Sequence, residues 1–184
     1  GRGAEGLGSK RQKTLDPLAP EAPQGKGLRV LDSAVLEFAK SKGEFPYEEL
    51  LKDPEVQSAA TECLDPNISE KDIHYRRKTE IAHSLARLRK KEEVVLKDPD
   101  KDIYLSTTLK FDILPKLLTL CKNIQSYAEE VDLDVILRRC KLDDYLTHVS
   151  KARIERGVEL LEAESHLYSK GPLTYGVVDQ GFRV

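Results

Sequence analysis

The sequence predicts an all-α protein, an irregular bundle of about six or seven helices carrying an extended N-terminal arm and a C-terminal tail. Three observations lead there. The 184 residues are rich in Leu, Glu, Lys, Arg and Ala, which lose little freedom on entering a helix. Apolar residues recur at three- and four-residue spacing through the middle of the chain. Apart from Gly157, the 11 Gly and 9 Pro gather in the two ends or near segment boundaries, where they punctuate rather than interrupt.

Taken in order, residues 1–27 form an extended arm, with Pro17, Pro20 and Pro23 at regular spacing and almost no apolar surface to offset the entropy of ordering it. Leu28, Leu31, Val35, Phe38 and Ala39 then mark a helix over about 31–42, stopped by Gly43. Pro46 followed by Glu48 and Glu49 suits a short helix start, over about 46–52. Asp53 is placed to cap a helix running from Pro54 to Leu64, and Asp65-Pro66 ends it. Ser69 and Asp72 resemble a capping box and open the longest helix, about 70–96, with Ile73, Ile81, Leu85, Leu88, Val95 and Leu96 on one core-facing stripe.

The run 97–102 is a turn. Ile103 to Phe111, rich in Thr and β-branched residues, reads either as a short helix or as extended chain. Asp112–Ala128 is the most apolar helix and the expected centre of the core, Asp112 capping it and Pro115 lying in its first turn. Helices over about 133–141 and 143–169 follow, and Gly171-Pro172 closes the last. The domain plan is therefore an arm over 1–27, one helical domain over 28–171 and an extended tail over 172–184. Leu51-Lys52-Asp53-Pro54 echoes Leu96-Lys97-Asp98-Pro99, but four residues are too few to establish a repeat.

Composition excludes several classes. With 30 Lys and Arg against 32 Asp and Glu, the net charge of −2 builds no broad positive field, and 6% aromatics without Trp offer few stacking platforms. Cys63, Cys121 and Cys140 are odd in number and lack a C-x-x-C pair, which points to a reducing compartment rather than a disulfide scaffold or a zinc site. No apolar run approaches the roughly 20 residues of a membrane span.

Chemistry-bearing patterns are weak. Glu80-Ile81-Ala82-His83 has the spacing of a di-iron ligand pair but no second copy, and Asp98, Asp100 and Asp102 start like a calcium loop that then has Ile103 where Gly is needed. There is no phosphate-cradling Gly loop and no nucleophile elbow. Cys121, on the apolar face of its helix, reads as a buried structural thiol. No catalytic residue, cofactor or metal is expected, and the protein is not expected to be an enzyme.

Two partner contacts are expected instead. The basic segment 76–91 contains Arg76, Arg77, Arg87 and Lys90, which are open to three readings: a solvated face, a contact with an acidic protein, or a contact with nucleic acid. In the last helix Arg153 and Arg156 break the apolar stripe beside Gly157, whose mid-helix position suggests close approach of another backbone.

The functional expectation is a non-catalytic structural subunit of a multiprotein assembly, its arms lying on protein neighbours, with no transmembrane segment and nucleic acid disfavoured. The chain begins Gly1-Arg2-Gly3 and has no Met, which reads as a processed organellar protein. The expected home is the matrix side of a mitochondrial energy-transducing complex, an ATP synthase or respiratory chain, with a cytoplasmic location as the other reading. The alternative function is a subunit of an organellar ribosome or other ribonucleoprotein that meets RNA through the basic helix 76–91.

Overall fold

The computed structural model describes residues 26–178 and divides the chain into two compact units, Gly1–Ser106 and Thr107–Val184. Each unit contains helices and a three-stranded antiparallel sheet, so the fold is mixed α/β and the all-α expectation is corrected. The single body over 28–171 is replaced by the division after Ser106, and part of the expected tail, Thr174–Val177, is a sheet strand. The arm over 1–27 lies outside the described residues except at its end, where Lys26 and Gly27 begin the first helix.

The first unit runs α1 (Lys26–Lys42), β1 (Glu44–Pro46), α2 (Tyr47–Lys52), α3 (Pro54–Glu62), α4 (Glu70–Lys90), β2 (Val94–Asp98) and β3 (Ile103–Ser106). Gly43 stops α1 in the left-handed conformation, φ 76°, that glycine adopts without strain. Asp53 caps α3 by accepting the Val56 amide at 3.1 Å, with Pro54 in the first turn where its missing N–H costs nothing. The Ser69 hydroxyl, by contrast, donates to the Asp72 carboxylate at 2.9 Å and caps no amide of α4. The strand order is β1-β3-β2, with Phe45 opposite Tyr104 and Leu96 opposite Tyr104 on the other side. Leu31, Val35, Phe38, Phe45, Leu50, Val56, Ile81, Leu85 and Leu88 fill the core. Phe45 sits between Phe38, edge to face at 5.2 Å, and Tyr104 at 5.9 Å.

The second unit runs from a π-helical turn (Leu109–Ile113) into α5 (Leu114–Gln125), then β4 (Val131–Asp132), α6 (Leu133–Leu142), a 3-10 turn (Leu146–His148), α7 (Lys151–Ala163), β5 (Leu167–Gly171) and β6 (Thr174–Val177). Asp112 does not cap α5; its carboxylate reaches back to the Thr108 amide at 2.9 Å and hydroxyl at 2.7 Å, holding the π-helical turn. Ser150 caps α7 through the Arg153 amide. The strand order is β4-β6-β5, and Ile113, Leu117, Cys121, Ile124, Ile136, Leu146, Ile154 and Leu161 form a separate core.

The two units share one plan, a helix, a short strand, further helices and a hairpin whose second strand pairs with the first strand. This is the winged helix-turn-helix arrangement, present twice. The agreement extends to detail. Both last helices end in a Schellman motif without glycine. In α4 the Glu92 amide donates to Arg89 O at 2.9 Å and the Glu93 amide to Leu88 O at 3.0 Å. In α7 the Ser165 amide donates to Glu162 O at 3.0 Å and the His166 amide to Leu161 O at 2.8 Å. Glu92 and Ser165 are left-handed, at φ 58° and 66°, as are Asp102 and Leu173 at the two hairpin tips, both at φ 55°. Each hairpin carries one bulge in its first strand, between Leu96 and Asp98 and between Ser169 and Gly171.

The duplication explains the misread segments. The long helix predicted over 70–96 stops at Lys90, and Val94 to Asp98 is a strand; the helix predicted over 143–169 shrinks to 151–163 with a strand after it. The Leu-Lys-Asp-Pro echo is no repeat: the first copy joins two helices and the second runs from β2 into a hairpin tip.

One buried polar cluster locks the first unit. Asp32 of α1, 8% exposed, accepts from Arg87 Nε at 3.0 Å and Nη2 at 2.7 Å and from Ser84 Oγ at 2.5 Å, both on α4. Truncating one partner strands a buried charge, so Asp32→Ala or Arg87→Ala is expected to cost about 3–5 kcal/mol, while Asp32→Leu with Arg87→Leu recovers most of that loss. Urea unfolding followed by circular dichroism checks this; single truncations costing under about 1 kcal/mol contradict it.

Burial sets the thiols. Burial, with Cys140 adding, pushes Cys121 up to about 12; burial, with Asp143 adding, pushes Cys140 up to about 11. Below an ordinary thiol value of 9.0 both stay protonated folded or unfolded. As pH rises from there toward about 12, thiols of the unfolded chain ionise first, so this stability is lost with rising pH. Urea midpoints should fall across that alkaline window and fall less in a Cys121→Ala, Cys140→Ala variant; identical pH profiles contradict the account.

Candidate docking face of the first unit

The basic segment lies on α4, and the structure sorts its residues by direction. Arg87 is consumed by Asp32 and buried. Arg77 is half-buried and its Nε donates to Thr61 Oγ1 of α3 at 2.8 Å. Arg76 is exposed on one flank of the helix, and Lys90 is exposed in its last turn. The expected contact set is therefore split. Two of its members hold the helix to its own unit, and Arg87 in particular is closed to any partner.

What α4 turns outward is a different set. At about 100° per residue, Lys71, Tyr75, Lys78, Ala82 and Arg89 fall within an arc of about 60°, away from Ser84 and bordered on one side by the buried Leu85. Tyr75 is 68% exposed, and Lys71, Lys78, Ala82 and Arg89 are exposed as well. No carboxylate of the helix lies in the arc: Glu70, Asp72 and Glu80 point elsewhere on the same projection. Lys71 and Lys78 are about 10 Å apart along the axis and Arg89 lies about 16 Å further on. The side chains of Lys71, Tyr75 and Lys78 make no hydrogen bond or ion pair among the described residues, while Arg89 stands 5.8 Å from the Tyr104 ring. The result is a row of cations around an exposed aromatic ring and a small central residue.

The hairpin beside this face has the opposite character. Asp98 turns inward along the tip and accepts the Asp100 amide at 3.1 Å and the Lys101 amide at 3.3 Å, so the calcium-like spacing serves a turn. Burial raises the Tyr104 phenol, Asp102 at the tip adds to the rise and Arg89 opposes it.

Of the contact expected in the second unit, Arg153 and Gly157 turn into the unit and Arg156 stays on its surface. Arg153 Nη2 donates to Thr107 O at 2.6 Å, and Arg156 pairs with Glu159 on the same helix at 3.0 Å. A Cβ on Gly157 would sit 2.8 Å from Leu117 Cδ2. The backbone close to Gly157 is thus approached by α5 of its own unit, and no partner is needed to explain the glycine.

The outward row escaped the sequence reading for a traceable reason. Extending the helix to 96 put Leu96 at about the angle of Lys78, widening the apolar arc over the very direction that faces solvent. Beginning the basic segment at 76 also left out Lys71 and Tyr75. Ending the helix at Lys90 restores the row.

No protein-family model matches this chain, and no curated protein matches it. Among solved structures, the chain is similar to the telomere capping protein Stn1 from Saccharomyces cerevisiae, with 15% identity and a TM-score of 0.35, over 78% of this chain and 94% of that one. It is similar to the C-terminal part of S. cerevisiae Stn1 with 14% identity and a TM-score of 0.35, over 84% and 97%. The expectation of a mitochondrial subunit on the matrix side, in an ATP synthase, respiratory chain or organellar ribosome, is corrected. It rested on a missing Met, near-neutral charge, the lack of a site and two coreless tails around an all-α body; two sheeted units replace that body, and the first of the similar solved chains is a telomere capping protein. Among the described residues no helix is long and apolar enough to cross a membrane.

Proposed function

We propose that the chain is a non-enzymatic adaptor that docks an acidic protein surface on the outward face of α4. The observation that carries this is the carboxylate-free row Lys71, Tyr75, Lys78, Ala82 and Arg89, held outward by the buried Asp32–Arg87 pair. A helix in this place, before the hairpin, is the one that helix-turn-helix proteins present to a partner, but the fold alone assigns no function. The chemistry of the face decides the partner class. An exposed Tyr and an Arg around a small apolar centre suit a protein interface, where such residues form anchors. A duplex contact is opposed by the net charge of −2 and by Asp102 at the hairpin tip, a carboxylate whose charge acts on the same Tyr104 that Arg89 stands over.

Fluorescence anisotropy tests the reading with two labelled probes, an acidic amphipathic peptide carrying Leu and Phe among Glu and Asp, and a short duplex DNA. The peptide is expected to bind, Lys71→Glu with Lys78→Glu to weaken it at least about tenfold, and Arg76→Glu to change it less than about threefold. Peptide affinity indifferent to Lys71 and Lys78, or a duplex bound more tightly than the peptide with a steep loss on adding salt, overturns the reading.

A further inference from the structure

The helix that occupies the equivalent place in the second unit has the complementary surface. On α7, Ile154, Gly157, Val158 and Leu161 face the core. At about 100° per residue Glu155, Glu159 and Glu162 fall within an arc of about 60°, with Ala152 and Ala163 on one flank and the exposed Lys151 on the other; Glu159 and Glu162 are exposed and Glu155 is half-buried. Glu159 is engaged by Arg156 at 3.0 Å, while Glu155 and Glu162 have no ion pair among the described residues. Their seven-residue separation, about 10 Å, equals that of Lys71 and Lys78. Laid antiparallel, α7 would set Glu162 against Lys71 and Glu155 against Lys78, with Tyr75 of α4 between the two pairs.

We propose that the acidic surface docked by α4 is α7 of a second copy of this chain, so that the protein self-associates head to tail. The inference rests on the docking role of the α4 face proposed above. Each copy offers both faces, one basic and aromatic, one acidic, and the contact joins unlike surfaces. Copies joined by such a contact form closed dimers where it is made reciprocally, and rings or chains where it is not. The faces are three to five helical turns long, below the area of a stable interface, so the association is weak and concentration-dependent, with a Kd in the micromolar range or weaker. Because Lys71, Lys78 and Glu162 are exposed and Glu155 is only half-buried, the pairs stay open to ions, and salt near 1 M, which shortens the screening length to about 3 Å, dissolves the association.

Sedimentation velocity on the full chain at low salt, over a rising concentration series, reads the outcome. The wild type should show a sedimentation coefficient that rises with concentration and returns to the monomer value at high salt. Lys71→Glu with Lys78→Glu makes both faces acidic and Glu155→Lys with Glu162→Lys makes both basic; each variant alone should weaken association at least about tenfold. Mixing the two variants re-creates the basic-to-acidic contact between chains and should restore it. A wild type that stays monomeric at about millimolar concentration overturns the inference, as does a mixture that fails to associate while the wild type does. If the wild type is monomeric and the acidic peptide still binds through Lys71 and Lys78, self-association fails and the docking role stands. If neither peptide binding nor sedimentation responds to those lysines, both fail.

Discussion

The Asp32–Ser84–Arg87 cluster determines how the first unit faces the world. Asp32 is on α1 and its two donors are on α4, one turn apart, so the carboxylate fixes the rotation of α4 about its own axis as well as its distance from α1. A rotation that exposed Arg87 would strip Asp32 of its guanidinium and bury an uncompensated charge, at several kcal/mol. With Ser84, Leu85, Leu88 and Ile81 held inward, Lys71, Tyr75, Lys78, Ala82 and Arg89 are turned to solvent along one stretch of the exposed surface of the helix. The aromatic stack Phe38, Phe45 and Tyr104 completes the arrangement from the sheet side, and Tyr104 in turn seats Arg89.

Much of the helical content was legible because its signals are local. Gly43, Asp53 with Pro54, and the acids at the start of α2 act through backbone geometry and capping within a few residues. The hairpins were illegible because their signals are not. A glycine normally marks a helix end, yet α4 and α7 end on left-handed Glu92 and Ser165, stabilised by amide bonds to Leu88 and Leu161 that no residue type announces. The strands that follow are four or five residues long and are half-covered, so alternation is blurred: Val94 is buried, Val95 and Leu96 are half-buried, and Tyr168 to Lys170 are exposed. Two short strands read as the continuation of a helix, and with them the second sheet and the division into units disappeared.

The site was partly legible. The concentration of cations on one helix was evident from the residues, but their roles were not, because an arginine serving a buried carboxylate and a lysine serving a partner look alike in sequence. Arg87 and Arg153 went to internal acceptors 55 and 46 residues away in the chain, distances that spacing rules do not reach. Net charge misled in a related way. A total of −2 describes a chain of mixed signs, and it conceals one equivalent helix that is outwardly basic and another that is outwardly acidic.

The central claim is that the outward face of α4 is a contact surface whose lysines meet carboxylates of α7. Zero-length carbodiimide cross-linking of an equal mixture of isotopically labelled and unlabelled chain, read by mass spectrometry, addresses it residue by residue. The account predicts linked peptides joining Lys71 or Lys78 to Glu155 or Glu162 in mixed-isotope pairs, lost at high salt. Finding those lysines linked to no carboxylate, or linked only within single-isotope chains, would contradict it.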